Sequence, residues 1–425
     1  MLRTRLLVLV VLALLPAAAW PQGNPLGPEF RVNTYTTGNQ FGYSVAVDDS
    51  GNFVVVWSSD ALQDGSLFSV VAQRYDSSGT PLGSEFRINT YTTGYQFGSV
   101  VASDAAGNFV VVWTSDNQDG SGVGLFGQRF ASGGASLGPE FRVNTYTTGN
   151  QYAPSVAATP AGDFVVVWQS YWQDGFLAGV FGQRYAASGA PLGAEFRVNT
   201  STTRHEYNPA VAIDPAGNFV VVWQNEGAGG GGGGPPPGVG VFGQRYAASG
   251  VPLGSEFRVN SYTTGGQVYP AVVVQPSGGF VVAWASTAQD GSAFGVFGQR
   301  YDGAGGPLGP EFRVNTFTTS SQVGPAVASD SSGNFVVVWE SYLQDGSGFG
   351  VFGQRYVTSG APLGPEFRVN TFTTGFQRVP SVAADTAGNF LVIWNSNLQD
   401  GSGWGVFGQR YAQIVPVELM RFGVE

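Results

Sequence analysis

The sequence predicts an all-β fold, a seven-bladed β-propeller of four-stranded antiparallel blades. Three observations predict it. First, seven units follow one pattern, EFRVNTYTTGxQxxPSVAxDxxGNFVVVWxSxxQDGSGxGVFGQRYxxxGxPLG, with their tryptophans at Trp57, Trp113, Trp168, Trp223, Trp284, Trp339 and Trp394. The step is 55 residues, once 56 and once 61. A fixed period of this size marks units that cannot bury an apolar face alone and must stack on neighbours. Second, each unit carries four short runs rich in Val, Phe, Tyr or Trp, and four strands per repeat is the propeller pattern. Third, the chain opens on the fourth strand of a unit, at Glu29, Phe30 and Arg31, and its last unit ends on a third strand at Tyr411. The amino-terminal strand can therefore complete the last blade and remove two open sheet edges.

The elements follow in order. In the first unit the strands are expected at 44–48, 53–58, 69–76 and 85–89. Residues 48–52, with Asp, Gly and Asn, read as a tight hairpin turn, and 77–83, with Gly and Pro, as the next connection. The run FVVVW is apolar at every position, as in a strand covered on both faces, and neighbouring blades provide that cover. A linear β-solenoid is the alternative. It needs distinct terminal caps, and the sequence offers none.

Composition sets the class. The chain has 425 residues, 43% hydrophobic and 11% charged, with 64 glycines. This is a turn-rich β composition with ample material for a core. A net charge of −10 argues against nucleic acid as a partner. Every basic residue is arginine, and most lie in the repeated EFR and QRY slots, which reads as scaffold.

The first residues read as an export signal. Arg3 and Arg5 precede a ten-residue apolar run, 6–15, too short to span a bilayer, and Ala17, Ala18 and Ala19 offer a cleavage site. The expected division is a signal peptide at 1–19, a propeller at 20–411 and a tail at 412–425. No cysteine is present, which excludes disulfides and a cysteine-linked lipid anchor. The expected location is outside the cell, at its surface or in the periplasm. The expected state is a monomer that does not span the membrane.

The string EFRVNTYTTGNQ, PSVA, FVVVW, QDGSG and GVFGQRY resembles the repeats of large secreted bacterial proteins, in which such units accompany hemolysin-type calcium-binding or cadherin-like modules. The resemblance covers roughly residues 27–411. It implies export, association with a surface or matrix, and no defined enzymatic activity. The calcium nonapeptides GGxGxDxUx of those neighbours are absent here. The segment 412–425 is similar to a short β-like tail that precedes sorting segments, but a bland carboxy-terminal strand or fraying tail is the favoured reading.

Candidate binding residues fall on one rim. The loop between second and third strands (QDGSG) and the link to the next blade (NTYTTGxQ) meet there, and loops on a rigid scaffold are where binding resides. The QDG loops place Asp64, Asp119, Asp174, Asp290, Asp345 and Asp400 in equivalent positions. They read either as single calcium ligands or as turn-forming carboxylates, and one Asp per loop is poor provision for calcium. The glutamines before each first strand, Gln40, Gln96, Gln151, Gln267, Gln322 and Gln377, read as amides for a sugar or peptide, or as scaffold partners. Tyr35, Tyr91, Tyr146, Tyr262, Phe317 and Phe372 are candidate sugar-stacking faces, whereas the seven repeated tryptophans read as packing between blades. Glu85, Arg87 and Arg74 suggest a repeated structural ion cluster.

Catalytic motifs are lacking. There is one histidine, His205, with no nucleophile elbow, zinc motif or phosphate loop. The acidic residues mostly recur in all copies, whereas an active site is normally a single asymmetric constellation. The expectation is therefore a non-enzymatic binding or structural module, for a polysaccharide or a surface protein, with no cofactor beyond a weak case for calcium. The alternative is a secreted glycan-active enzyme on the same scaffold. One sector breaks the symmetry: the fourth unit carries Ser201, Arg204, His205, Glu206 and Tyr207, then Asn225, Glu226 and a Gly/Pro run at 229–237. It reads as a decayed loop or as a unique docking sector.

Overall fold

A computed structural model describes residues 25–60, 67–226 and 239–413. The expected export segment, Asp64, the Gly/Pro run and nearly all of the tail lie outside the described residues. Seven four-stranded antiparallel sheets form a ring. Blade one comprises Gln40–Val47, Phe53–Ser59, Ser69–Tyr75 and Phe86–Arg87. The first strands of successive blades pack on one another all the way round, Gln377–Ala384 of blade seven closing onto Gln40–Val47, so they line the central channel. This closure rules out the solenoid.

The last blade is completed by the amino terminus. Phe30–Arg31 pairs antiparallel with Trp404–Tyr411, Phe30 opposite Gly408. A side chain at Gly408 would meet the Phe30 ring at 2.8 Å, so glycine gives the closing strand its closest seat; blade one has Ala72 in the same place, opposite Phe86. Glu29 adds a second tie, accepting the Thr371 amide at 2.6 Å and its hydroxyl at 2.8 Å.

The second strands form the cores between blades. All seven repeated tryptophans are fully buried, together with the residue before each, valine in five blades and Ala283 and Ile393 in the other two. The first residue of each second strand stacks on the last aromatic of the third, as Phe53 does on Tyr75 with centroids 4.6 Å apart. The Tyr75 hydroxyl then reaches the Val32 carbonyl of the preceding blade at 3.2 Å. Arg74 reaches the other way, donating to the Ser132 carbonyl of the next blade at 2.6 Å. The expected ion cluster is therefore replaced by arginine-to-carbonyl staples between blades.

Two strand boundaries differ from expectation for local reasons. Each first strand begins four residues early, five in blade four, and then bulges, and the bulge hides the alternation that marks a strand. Every fourth strand is only two residues long. Its following asparagine substitutes for the ladder, as Asn89 Oδ1 accepts the Val70 amide at 2.8 Å.

Candidate functional site

The strand directions bring the QDGSG and NTYTTGxQ loops to one mouth of the channel, as expected, because Gln40 pairs with Ser59 at the far end of the hairpin from the 48–52 turn. The repeated residues on this mouth are engaged by the scaffold. Gln40, Gln96, Gln151, Gln267, Gln322 and Gln377 are all 0% exposed. Each donates through Nε2 to the threonine carbonyl three residues back, Gln96 to Thr93 at 2.9 Å for example. Five also accept from an asparagine, as Gln267 does from Asn260 at 2.9 Å. Their proposed contact with a ligand is corrected on this ground: a fully buried amide pins the loop and presents nothing to solvent.

The carboxylates of Asp119, Asp174, Asp290, Asp345 and Asp400 are half-buried and accept from asparagine side chains at 3.1–3.3 Å and from an amide two residues on. Each carboxylate thus serves its own loop as an acceptor, as the turn-forming reading expects. Among the described residues no group of three or more His, Cys, Asp or Glu gathers to hold a metal. Tyr35 is the more exposed of the loop aromatics, and Tyr91, Tyr146, Tyr262, Phe317 and Phe372 are half-buried. They remain at the outer rim. On the opposite face, the inter-blade grooves are walled by repeated residues already bonded to one another, such as Asp48, Asn52, Arg74 and Ser132.

What varies between the units lies at the inner mouth. The residue before the buried glutamine is Asn39, Tyr95, Asn150, His205, Gly266, Ser321 or Phe376. The second residue after it, at the bulge, is Gly42, Gly98, Ala153, Asn208, Tyr269, Gly324 or Val379. All seven bulge residues hold a left-handed backbone, with φ between 50° and 64°. Such a backbone favours glycine, yet four blades carry a side chain there. The bulge frees an amide from the ladder. The residue after the core tryptophan of the preceding blade accepts it: Gln169 from Asn208 and Gln224 from Tyr269, both at 3.2 Å, and Glu340 from Val379 at 2.9 Å. The scaffold thus holds a constant bulge and displays a different side chain in each blade. Comparison of the units with one another was the signal that would have found these positions.

Blade four gathers the chemistry. Its first strand, His205–Ile213, pairs with Phe219–Glu226, setting His205 opposite Glu226. The Tyr207 hydroxyl donates to Glu226 Oε2 at 3.0 Å, and His205 Nδ1 lies 3.8 Å from the same oxygen. The rings of His205 and Tyr207 are 4.6 Å apart, and Tyr171 of blade three meets His205 edge-on at 5.8 Å. Burial holds the His205 pKa below its ordinary value, against the opposing pull of Glu226. Burial, with Glu226 adding to it, raises the Tyr207 pKa well above that of a free phenol. Both groups are therefore neutral near pH 7. His205 Nε2 is buried and meets no hydrogen-bond partner among the described residues. Exposed Arg204 donates to Asn225 Oδ1 at 3.2 Å, and Asn225 donates to Glu206 Oε1 at 2.9 Å.

Glu206 takes the scaffold glutamine's place and is itself fully buried. Burial, with Asp174 and Glu256 nearby, pushes its pKa up to about 8. Its Oε1 accepts from Asn225, and its Oε2 meets no hydrogen-bond partner among the described residues, so the threonine contact that the glutamines make is not reproduced.

No protein-family model and no curated protein matches the chain. Among solved structures, it is similar to a polysaccharide lyase of family PL25, an ulvan lyase bound to -[GlcA(1-4)Rha3S]-, with TM-score 0.58 and 9% identity over 91% of this chain and 96% of that one. It is also similar to a protein of unknown function from Dyadobacter fermentans, with TM-score 0.53 and 10% identity over 92% and 98%. A third is the hydrazine synthase of Kuenenia stuttgartiensis, with TM-score 0.50 and 11% identity over 85% and 94%. At these identities the likeness is one of fold. It removes the fold as a ground for expecting a non-enzymatic protein, because in the ulvan lyase a scaffold of this kind carries an enzyme. Nor are all the acidic residues repeated: the grouping of Glu226 with His205 and Tyr207 is found in blade four alone. Among the described residues no helix is long and apolar enough to cross a membrane.

Proposed function

We propose that the protein acts on an acidic polysaccharide outside the cell, at the channel mouth over blade four. The observation that carries this reading is the asymmetry. Near-identical units differ chiefly at the mouth, and one of them assembles histidine, tyrosine, glutamate and an exposed arginine there. The ulvan lyase likeness supports the choice of an acidic glycan, and Arg204 supplies a charge to oppose a uronate carboxylate.

The fitting reaction class is β-elimination. Glu226 beside Nδ1 favours the tautomer whose proton sits on Nδ1, leaving the Nε2 lone pair as base. Nε2 is buried in this structure, so glycan binding must open the mouth at His205 before Nε2 takes the proton on the carbon next to the uronate carboxylate. The electron pair left behind forms a carbon–carbon double bond, and the bond to the glycosidic oxygen breaks. The departing oxygen takes the proton of the Tyr207 hydroxyl. Arg204 opposes the charge that grows on the carboxylate. Two neutral groups of unlike acidity, held side by side, suit such a pair of transfers.

The test is to incubate the full chain with ulvan, pectate, alginate and a neutral arabinan. The products are followed by ultraviolet absorbance, for a new double bond, and by reducing ends. Cleavage of an acidic polymer with a matching double bond supports the reading. Cleavage without one makes the chemistry hydrolysis. No cleavage of any polymer overturns it.

A further inference from the structure

Blade three displays an unusual side chain beside this constellation. In each described QDG loop of full length, the residue two before the aspartate has a left-handed backbone: Asn117, Trp172, Ala288, Leu343 and Leu398, with φ between 56° and 67°. Two backbone bonds hold each in place. For Trp172 these are its amide to the Leu177 carbonyl at 3.2 Å and the Gly175 amide to its own carbonyl at 3.3 Å. The loop imposes this conformation whatever the residue. Asparagine tolerates it, and a bulky aromatic does not do so readily. Trp172 is nevertheless 58% exposed, whereas the seven repeated tryptophans are fully buried. It gains little from burial, and its backbone is in an unfavourable region.

Its position is specific. Trp172 follows Tyr171, the residue whose ring meets His205 edge-on. Its indole lies over Gly149 of the loop leading into blade three, where a side chain would come to 3.6 Å of Cδ1. On the other side of the constellation, Tyr269 of blade five is 51% exposed at its bulge. An exposed indole beside a glycan site offers a flat face for the apolar side of a sugar ring.

We propose that Trp172 is a sugar-stacking subsite that seats the glycan unit neighbouring the one at His205, and so sets the register of the chain across the mouth. The inference rests on the glycan reading above and deepens it. A positioning role of this kind raises KM when lost and leaves kcat nearly unchanged, because the face binds ground and transition states alike.

The experiment uses the full chain with ulvan and pectate oligosaccharides as probes. In the wild type, binding quenches the exposed tryptophan emission. Trp172→Ala weakens binding about tenfold and abolishes that quench; Trp172→Phe restores most of the affinity without the quench. The oligosaccharide series shows whether register is lost, since the variant yields a broader spread of product lengths. Wild-type binding that Trp172→Ala changes by less than about twofold overturns the subsite and leaves the glycan reading standing. A wild type that binds neither probe overturns both. Circular dichroism and melting separate these outcomes from misfolding, and the alanine variant should fold at least as well, since an exposed side chain is removed.

Discussion

The Tyr207 hydroxyl donates to Glu226 Oε2 at 3.0 Å, and no other blade places a tyrosine and a glutamate at this pair of positions. The bond joins the first strand of blade four to the end of its second strand. It fixes the tyrosine ring against His205 and gives Glu226 a hand in holding both groups.

Removing that hydroxyl should separate chemistry from fold. Tyr207→Phe keeps the ring and loses the proton donor. Turnover on the responsive polysaccharide should fall roughly a hundred- to ten-thousand-fold, with melting temperature and affinity little changed. Steady-state kinetics beside a melting curve checks this. An equal loss of affinity and stability would make the bond structural.

The pH profile should report His205 from its lowered pKa. The base must be neutral, so kcat/KM should fall as pH drops through a value below the ordinary histidine range. Glu226→Gln removes the opposing charge and should move that limb to still lower pH. A limb that stays in place after this substitution would assign it to another group.

Glu206 should make stability pH-dependent in the opposite sense to an ordinary paired carboxylate. Its folded pKa, about 8, lies above the ordinary value of 4.5. Between these two values the folded state holds the proton more tightly than the unfolded state. The stabilisation is complete below about 4.5 and is lost as pH rises towards about 8. Glu206→Gln supplies the amide of the other blades and should raise the melting temperature at pH 8, with little change at pH 4.5. Melting curves of both proteins across this range decide it.

The QDG aspartates should behave as turn residues. Asp119→Ala and Asp345→Ala each leave an asparagine and an amide with a lost acceptor. A loss of about 1 kcal/mol per site is expected, with unchanged glycan affinity and no response to calcium. Denaturant melts with and without calcium test it, and a calcium-dependent gain in stability would restore the metal reading.

Ring closure has its own consequence. Deleting residues 20–34 removes Glu29 and Phe30 and exposes the edge of Trp404–Tyr411. The melting temperature should fall and self-association should appear. An unchanged, monomeric protein would contradict closure by the amino-terminal strand.

The fold was legible because its causes repeat. Seven runs of the FVVVW kind, FVVAW in the fifth unit and FLVIW in the seventh, each end in a buried tryptophan and announce strands covered on both faces, and the phase of Phe30 and Tyr411 announces closure. The site was obscured by the same repetition. Asp119 or Gln151 drew attention by recurring, yet recurrence marks what every blade needs: a pinned turn and a satisfied amide. Residues that differ between units, such as Asn208, Tyr269 and Val379, occupy bulges whose left-handed backbone breaks the strand pattern. Only the pairing of strands shows that they share one mouth. The partnership of Tyr207 with Glu226 crosses 19 residues, and its antiparallel register is not written in either residue alone.

The most direct test of the account is His205→Ala beside the wild type on the acidic polysaccharide panel, followed by ultraviolet absorbance for the new double bond. The account predicts product from the wild type on at least one uronate polymer, and none from the variant, which keeps its affinity and its melting temperature. Equal rates of product formation by the two proteins, or cleavage confined to the neutral arabinan, would contradict it.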